Sequence, residues 1–393
     1  MRIAFFHNLP SGGAKRCAFE LIQFLSKNHT VDLYIYDQHA EDFLDIRQLV
    51  NKTILIPRGN TYGEKGIKRL ISLNTVRIAS KKIAQLINEG NYDIALIMQC
   101  KVSNSPFVLR YLNIPSLYFC HEPLAKILEP HYRGNNENGL LSFLKKLFLN
   151  WTISIDKKNA LNATLICTSS LYCIENIYRN YGVYAKLNYL GVDTEQFHPI
   201  DLERTSTLLF VGALNPAKGQ DFIIESVGTM KVKPSIRFIY NFSYGATNFK
   251  EQLINRAQQL GVSISFENMA NDTELVNAYN QAILTVFPSR LEPLGLVPLE
   301  SMACGTPVVG IAEAGIRETI QHNKTGLLTE RDSVEFGKAL NNLINDKTMW
   351  KAMSALGIKT VLEQWTWKQS YQKLEEHIKT TLKKYENQNI SNQ

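Results

Sequence analysis

Apolar and polar positions along this chain come in a repeating order: a short apolar run, a polar or glycine-rich turn, then apolar residues at helical spacing. "RIAFF" (2–6) leads into "HNLPSGG" and then "AKRCAFELIQFLSK", where Ala18, Leu21, Ile22 and Leu25 recur as one helix face. "TVDLYIY" (30–36) alternates as a strand. "YDIALIMQ" (92–99), "PSLYFC" (115–120) and "ATLICTS" (163–169) are short apolar runs of the buried-strand kind. After "NYLGVDTEQFHPIDLERT" (188–205), which reads as a linker, "TLLFVGALNPAKGQDFIIESVGTM" (207–230) restarts the theme. "RFIYNF", "SISFENM", "LTVFPS" and "TPVVGI" follow as strands. Strands alternating with helices predict α/β architecture with parallel sheets covered on both faces. Two doubly wound, Rossmann-like domains are expected, joined near residue 196, with a helical closing segment and a disordered tail from 387 to 393. Ligands of such sheets bind beyond the carboxyl ends of the strands, so a cleft between the domains is the expected site.

Length and composition agree with this reading. At 393 residues, 45% hydrophobic and 20% charged, the chain can fill two cores. No apolar run approaches the ~18 residues of a membrane span, and the N-terminus lacks the pattern of a signal peptide. The six cysteines (17, 100, 120, 167, 173 and 304) are scattered, with no C-x-x-C and no metal spacing. A cytoplasmic protein with buried free thiols is expected. The net charge of +7 lies in the first half: residues 1–200 hold 23 Lys and Arg against 16 Asp and Glu. No arginine-rich run or aromatic-basic ladder argues for nucleic acid. The excess suits an anionic substrate or an anionic membrane surface, or is simply solvated lysine.

Candidate chemistry concentrates in "PSRLEPLGLVPLESMACGTPVVG" (288–310). A strand ends at Pro288, a loop carries Arg290 and Glu292, and a helix follows with Pro298 in its first turn and Glu300 beside it. Backbone N–H groups near Leu294, Gly295 and Leu296 then sit at a helix N-terminus, which attracts anions. Glycine at 295 lets a ligand approach the backbone. A loop with free N–H groups between two acceptors suits a ligand with phosphate in the middle and hydroxyls at both ends. Two glutamates eight apart are also common by chance, and both favour the helix dipole without any ligand.

This string closely resembles the signature of the retaining glycosyltransferases of family 4, which have the two-domain GT-B fold. "HNLPSGGAKR", "FCHEP", "YLGVDTEQFHP", "FVGALNPAKG" and "GIRETIQHNKTGLLT" extend the resemblance to nearly the whole chain, most weakly at 40–95 and 125–160. It implies an acceptor-side domain of residues 1–195 plus about 368–386, the closing helix crossing back onto it, and a donor domain of 196–367. It also implies roles: Glu292 on the donor sugar's hydroxyls, Glu300 on the ribose, Lys218 on the leaving diphosphate and His121 at the donor sugar. Gly12, Gly13, Gly212 and Arg290 fall in its donor-binding set. The donor is a nucleotide-diphosphate sugar, a UDP-hexose by the resemblance; the acceptor is a saccharide or a lipid-linked saccharide. No cofactor and no metal are expected, since one or two cations and backbone donors can hold the leaving group and the chain has no Asp-x-Asp.

One position departs from the pattern. The resemblance leads one to expect an arginine where "GALNPAKG" has Ala213, so a cation is missing from the diphosphate site. Lys15, Arg16 and Arg290 are the candidates to replace it. The departure leaves a nucleotide-sugar-binding pseudoenzyme open as an alternative, and an epimerase of the same fold is a second. Separately, "GLLSFLKKLFLNW" (139–151) sets Leu140, Leu144, Leu147 and Trp151 in an apolar stripe with Lys145 and Lys146 off it. Packing of that helix against its own domain is the preferred reading, and peripheral contact with an anionic membrane at its inner face is the alternative.

Overall fold

A computed structural model of the chain describes residues 1–37, 41, 43–58, 66–124, 140–240, 247–268 and 271–391. The chain divides into two compact units, Met1–Tyr189 together with the segment from Ser370 on, and Leu190–Gln369.

In the first unit seven strands form one sheet: β1 Arg2–Asn8, β2 Thr30–Tyr36, β3 Lys52–Ile56, β4 Ile94–Cys100, β5 Ser116–Phe119, β6 Leu165–Thr168 and β7 Lys186–Leu187. In the second, six do: β8 Thr207–Val211, β9 Ser235–Tyr240, β10 Ile264–Asn268, β11 Leu284–Phe287, β12 Val308–Ile311 and β13 Gly326–Thr329. The orders are β3-β2-β1-β4-β5-β6-β7 and β10-β9-β8-β11-β12-β13, and every strand pairing is parallel. The connecting helices of the first unit are α1 Gly13–Asn28, α2 Gly66–Glu89, α3 Leu140–Ala160 and α4 Leu171–Tyr181. The second unit holds α5 Gln220–Gly228, α6 Thr247–Leu260, α7 Asp272–Gln281, α8 Leu296–Ala303, α9 Ile316–Thr319, α10 Ser333–Asn345 and α11 Lys347–Gln364. The last helix, α12, runs Trp367–Ser391.

Central strands are buried from end to end because helices cover both faces of a parallel sheet. β1, β2 and β12 show this burial, with only the first residues of β1 and β2 exposed. Edge strands differ. β3 (KTILI) and β10 (ISFEN) are half exposed, so their sequences mix polar and apolar residues. That mixture hid β3 from the periodicity reading, as brevity hid β7 and β13. Both sheets reverse direction of growth at one point, between β1 and β4 and between β8 and β11. At such a point neighbouring loops diverge to opposite faces and leave a crevice at the carboxyl ends of the strands.

Two expectations need correction. The tail does not begin at 387: α12 continues to Ser391, since no Gly or Pro interrupts it. The stripe of α3 is not packed against its own domain: Leu144, Leu147 and Trp151 are 51%, 49% and 47% exposed, and the side chain of Leu140 lies outside the described residues. All six cysteines are buried and free. Among the described residues no helix is long and apolar enough to cross a membrane.

Candidate active site

The second unit's crevice is built by two loops. The β8–α5 loop carries Gly212, Ala213 and the short 3-10 turn Pro216–Lys218. Asn215 caps that turn by accepting from the Ala217 N–H at 2.8 Å. The β11–α8 loop carries Arg290 to Gly295. Because β8 and β11 are neighbours at the switch point, residues 74 apart in sequence meet: Lys218 Nζ donates to Glu292 Oε2 at 2.6 Å. Their side chains keep 29% and 21% exposure, so this pair is reachable from solvent. The Arg290 N–H donates to Ala217 O at 2.9 Å and locks the two loops backbone to backbone.

Glu300 is buried in α8, and the hydroxyl of the fully buried Tyr279 donates to its Oε2 at 2.8 Å. The helix begins at Gly295 (φ 88°) with no side chain capping its first N–H groups. The N-terminal amides at Leu296 and beyond, with Leu294 just before, thus form an uncapped positive dipole end between Glu292 and Glu300. Glycine at 295 has a steric reason of its own: a Cβ there would sit 2.7 Å from Ile316 Cδ1. Gly315 is tighter still, since its Cβ would lie 2.0 Å from Pro293 O, while its N–H donates to Glu292 O at 3.0 Å.

A brace missed by sequence reasoning holds the loop from behind. Arg331 donates to Pro288 O at 2.9 Å and forms two bonds to Glu313, at 2.7 and 2.8 Å. Burial raises the Glu313 pKa, but the Arg331 hydrogen bonds and the charges of Arg331 and Arg290 outweigh it and hold the carboxyl below its usual range. The charge of Arg290 thus acts on the Glu313 carboxylate, and its own backbone N–H ties it to the Lys218 loop. Neither Tyr279 nor Arg331 stands in a motif that announces it. Only the strand order brings them here.

In the first unit, Gly12 and Gly13 follow β1 and open α1, with Gly12 at φ 138° and no side-chain cap. His121 follows β5. Its ring lies 5.0 Å from that of Phe119, and Cys173 Sγ donates to its carbonyl at 3.1 Å. Its Nε2 is buried with no hydrogen-bond partner. Burial lowers its pKa to about 4, so the imidazole is neutral at ordinary pH. A buried unpaired ring nitrogen costs about 1–3 kcal/mol, a cost that a bound hydroxyl could remove. Lys15 is not a free cation: it is buried in α1 and ion-paired with the buried Glu41, which also accepts from the Ile46 N–H. Burial lowers its pKa against the opposing pull of Glu41. Arg16 stacks its guanidinium 5.9 Å from the Phe43 ring. Among the described residues no three His, Cys, Asp or Glu side chains gather as a metal site.

Residues 193–360 match the family described as glycosyl transferases group 1. A D-inositol 3-phosphate glycosyltransferase of Frankia alni is 32% identical over 187 residues, 42% of this chain and 46% of that protein. The match thus spans about half the relative's length. Among solved structures, sucrose-phosphate synthase of Thermosynechococcus elongatus superposes with a TM-score of 0.78 at 18% identity, covering 96% of this chain and 98% of that one. Anabaena Alr3699/HepE in complex with UDP-glucose gives 0.74 at 17% identity, covering 97% and 100%. The fold of the chain is that of the GT-B class.

Proposed function

Taking residues 193–360 as a glycosyl transferases group 1 domain, we propose that the chain moves a hexose from a nucleotide-diphosphate sugar to a saccharide or lipid-linked saccharide acceptor. The observation that carries this reading is the Lys218–Glu292 pair, held at the switch point beside an uncapped helix N-terminus. In this reading the donor's diphosphate lies against the N–H groups of Leu294 to Leu296 and draws Lys218 away from Glu292. The freed carboxylate then accepts from the sugar's hydroxyls, and Glu300 accepts from the ribose. A UDP-hexose is the proposed donor, in line with the ligand named for the Anabaena structure.

The bond between the anomeric carbon and the diphosphate oxygen breaks as the acceptor oxygen approaches from the same face. The acceptor's proton passes to the departing diphosphate oxygen, so the anomeric configuration is retained. Lys218, Arg290 and the backbone donors hold the developing charge without a metal. Arg290 supplies the cation lacking at Ala213: it shares the loop with Glu292 and its backbone is tied to the Lys218 turn, whereas Lys15 is committed to Glu41. Neutral His121, with its unpaired Nε2, offers a partner for a donor sugar hydroxyl.

Incubation with UDP-, GDP- and ADP-sugars, a saccharide acceptor and a nucleotide-release assay tests this. Lys218→Ala and Glu292→Ala should each lower turnover by about 10²–10³-fold. Their pair is too exposed to contribute more than about 1 kcal/mol to stability, so both variants should melt near the wild type. Undiminished release in these variants refutes the site; tight nucleotide binding without turnover favours the pseudoenzyme.

A further inference from the structure

The first unit carries a second concave surface that shares no residue with the donor loops. α2 and α3 both pack against the 3-10 helix Phe107–Tyr111. Between them lies a cavity of about 460 Å³ with Leu73, Phe107 and Trp151 among its apolar walls and Arg77, Arg110 and Lys158 as its cations. Among the described residues its lining contains no acid. Arg77 donates to Asn74 Oδ1 and Arg110 to Ile155 O, at 3.1 and 3.2 Å. Among the described residues no carboxylate pairs with any of the three cations. The Nε of Arg110 is buried and unbonded. Burial, with a smaller contribution from the like charge of Arg77, lowers the Arg110 pKa. Like charges gathered in an apolar hollow repel one another, and a bound anion relieves the strain.

The anion's nature follows from what surrounds the hollow. Leu144, Leu147, Trp151, Ser154 and Lys158 are spaced three and four apart, so they share one face of α3. The exposed apolar stripe therefore runs straight into the cationic wall. On α2, Leu70 at the same hollow is 43% exposed. Free phosphate or a nucleotide would satisfy the cations and leave the stripe in water. A phosphate attached to a hydrocarbon satisfies both.

We propose that the groove between α2 and α3 binds the phosphate head of an anionic phospholipid, with the exposed face of α3 lying in the bilayer surface. This does not rest on the glycosyl-transfer reading, and its test measures lipid binding alone. The full chain is sedimented with vesicles of phosphatidylcholine and with equimolar mixtures of phosphatidylcholine and phosphatidylglycerol. It should partition into the mixed vesicles only.

The double variant Arg77→Gln/Lys158→Gln removes cations at exposed positions without touching the Arg110 bond to Ile155. It should melt like the wild type and lose about 30-fold in partitioning, as expected for two cations at about tenfold or less each. Lys27→Gln/Lys186→Gln, equal in charge but away from the groove, should change it less than about threefold. Equal loss in both pairs would show diffuse attraction and overturn the site, as would no binding to the mixed vesicles. Inorganic phosphate is titrated in parallel at matched ionic strength. A phosphate-induced rise in melting temperature that needs Arg77, with no vesicle binding, would assign the groove to a free anion instead.

Discussion

Lys218 and Ala213 are five residues apart on one loop, and under the proposed function the balance of charge there governs how tightly a diphosphate is held. If Arg290 replaces the cation absent at 213, Arg290→Ala should weaken nucleoside-diphosphate binding by about tenfold, the order expected for one charge-assisted bond. Ala213→Arg in that background should restore most of the loss, because the loops are bonded at Ala217 O. Titration calorimetry with UDP checks both, and an Arg290→Ala protein that binds like the wild type removes Arg290 from the site. His121 allows a different test. Its pKa falls to about 4 on folding through burial, against ~6.5 in an unfolded chain. The unfolded state thus takes up a proton that the folded state refuses, and stability is lost as pH falls from about 6.5 towards 4. Between pH 7 and pH 5 the wild type should lose about 2 kcal/mol relative to His121→Gln. Urea unfolding at the two pH values reads this directly, and parallel pH curves for the two proteins would contradict it.

At the level of elements, the site depends on close approach between the β11–α8 loop and the start of α9. Gly315 has an ordinary backbone conformation, so its requirement is purely one of space: Pro293 O occupies the place of a Cβ. Both partners are backbone, and neither can swing aside as a side chain would. Gly315→Ala should therefore cost about 1–3 kcal/mol and shift the loop that bears Glu292, weakening donor binding as well. Thermal melting with and without UDP tests this; a variant with unchanged melting would mean the loops separate freely. The same reasoning explains the brace from Arg331. Under the proposed function the loop keeps several N–H groups open for a ligand and cannot satisfy itself, and Arg331, just beyond β13, holds it at Pro288 O.

For the whole molecule, the decisive feature is a chain that leaves the first unit at Tyr189 and rejoins it at Ser370. In α12, Leu374 and Ile378 are fully buried. Tyr371 stacks on Phe24 at 5.5 Å, His377 bonds Leu187 O at 2.8 Å and Lys384 donates to Thr164 O at 2.6 Å. Burial of the two aliphatic residues alone contributes up to about 3–6 kcal/mol, a large share of a domain's typical stability of about 5–15 kcal/mol. A chain ending at Gln369 should therefore lose the cooperative unfolding of its first unit. Its second unit should still bind nucleotide. Unfolding followed by circular dichroism, beside UDP titration, measures both. An unchanged first transition would show that α12 is dispensable.

Much of this was legible in local sequence because it is set by local energetics. Continuous apolar runs such as "IALIM" mark strands buried on both faces. The Pro-Ser…Glu…Gly loop and its helix were placed correctly, since Gly295 and Pro298 have fixed conformational meanings. Edge strand β3 was not legible, as half-burial leaves no distinctive pattern. Nor was the exposure of α3, because one apolar stripe serves a core or a surface equally well. The meeting of Lys218 with Glu292, of Tyr279 with Glu300, and of Arg77 with Arg110 and Lys158 belongs to tertiary structure alone. Those contacts join segments far apart in the chain, and which segments become neighbours depends on strand order and helix packing. The same holds for Lys15: the sequence supplied a cation near a glycine turn, and only the fold showed that Glu41 already neutralises it.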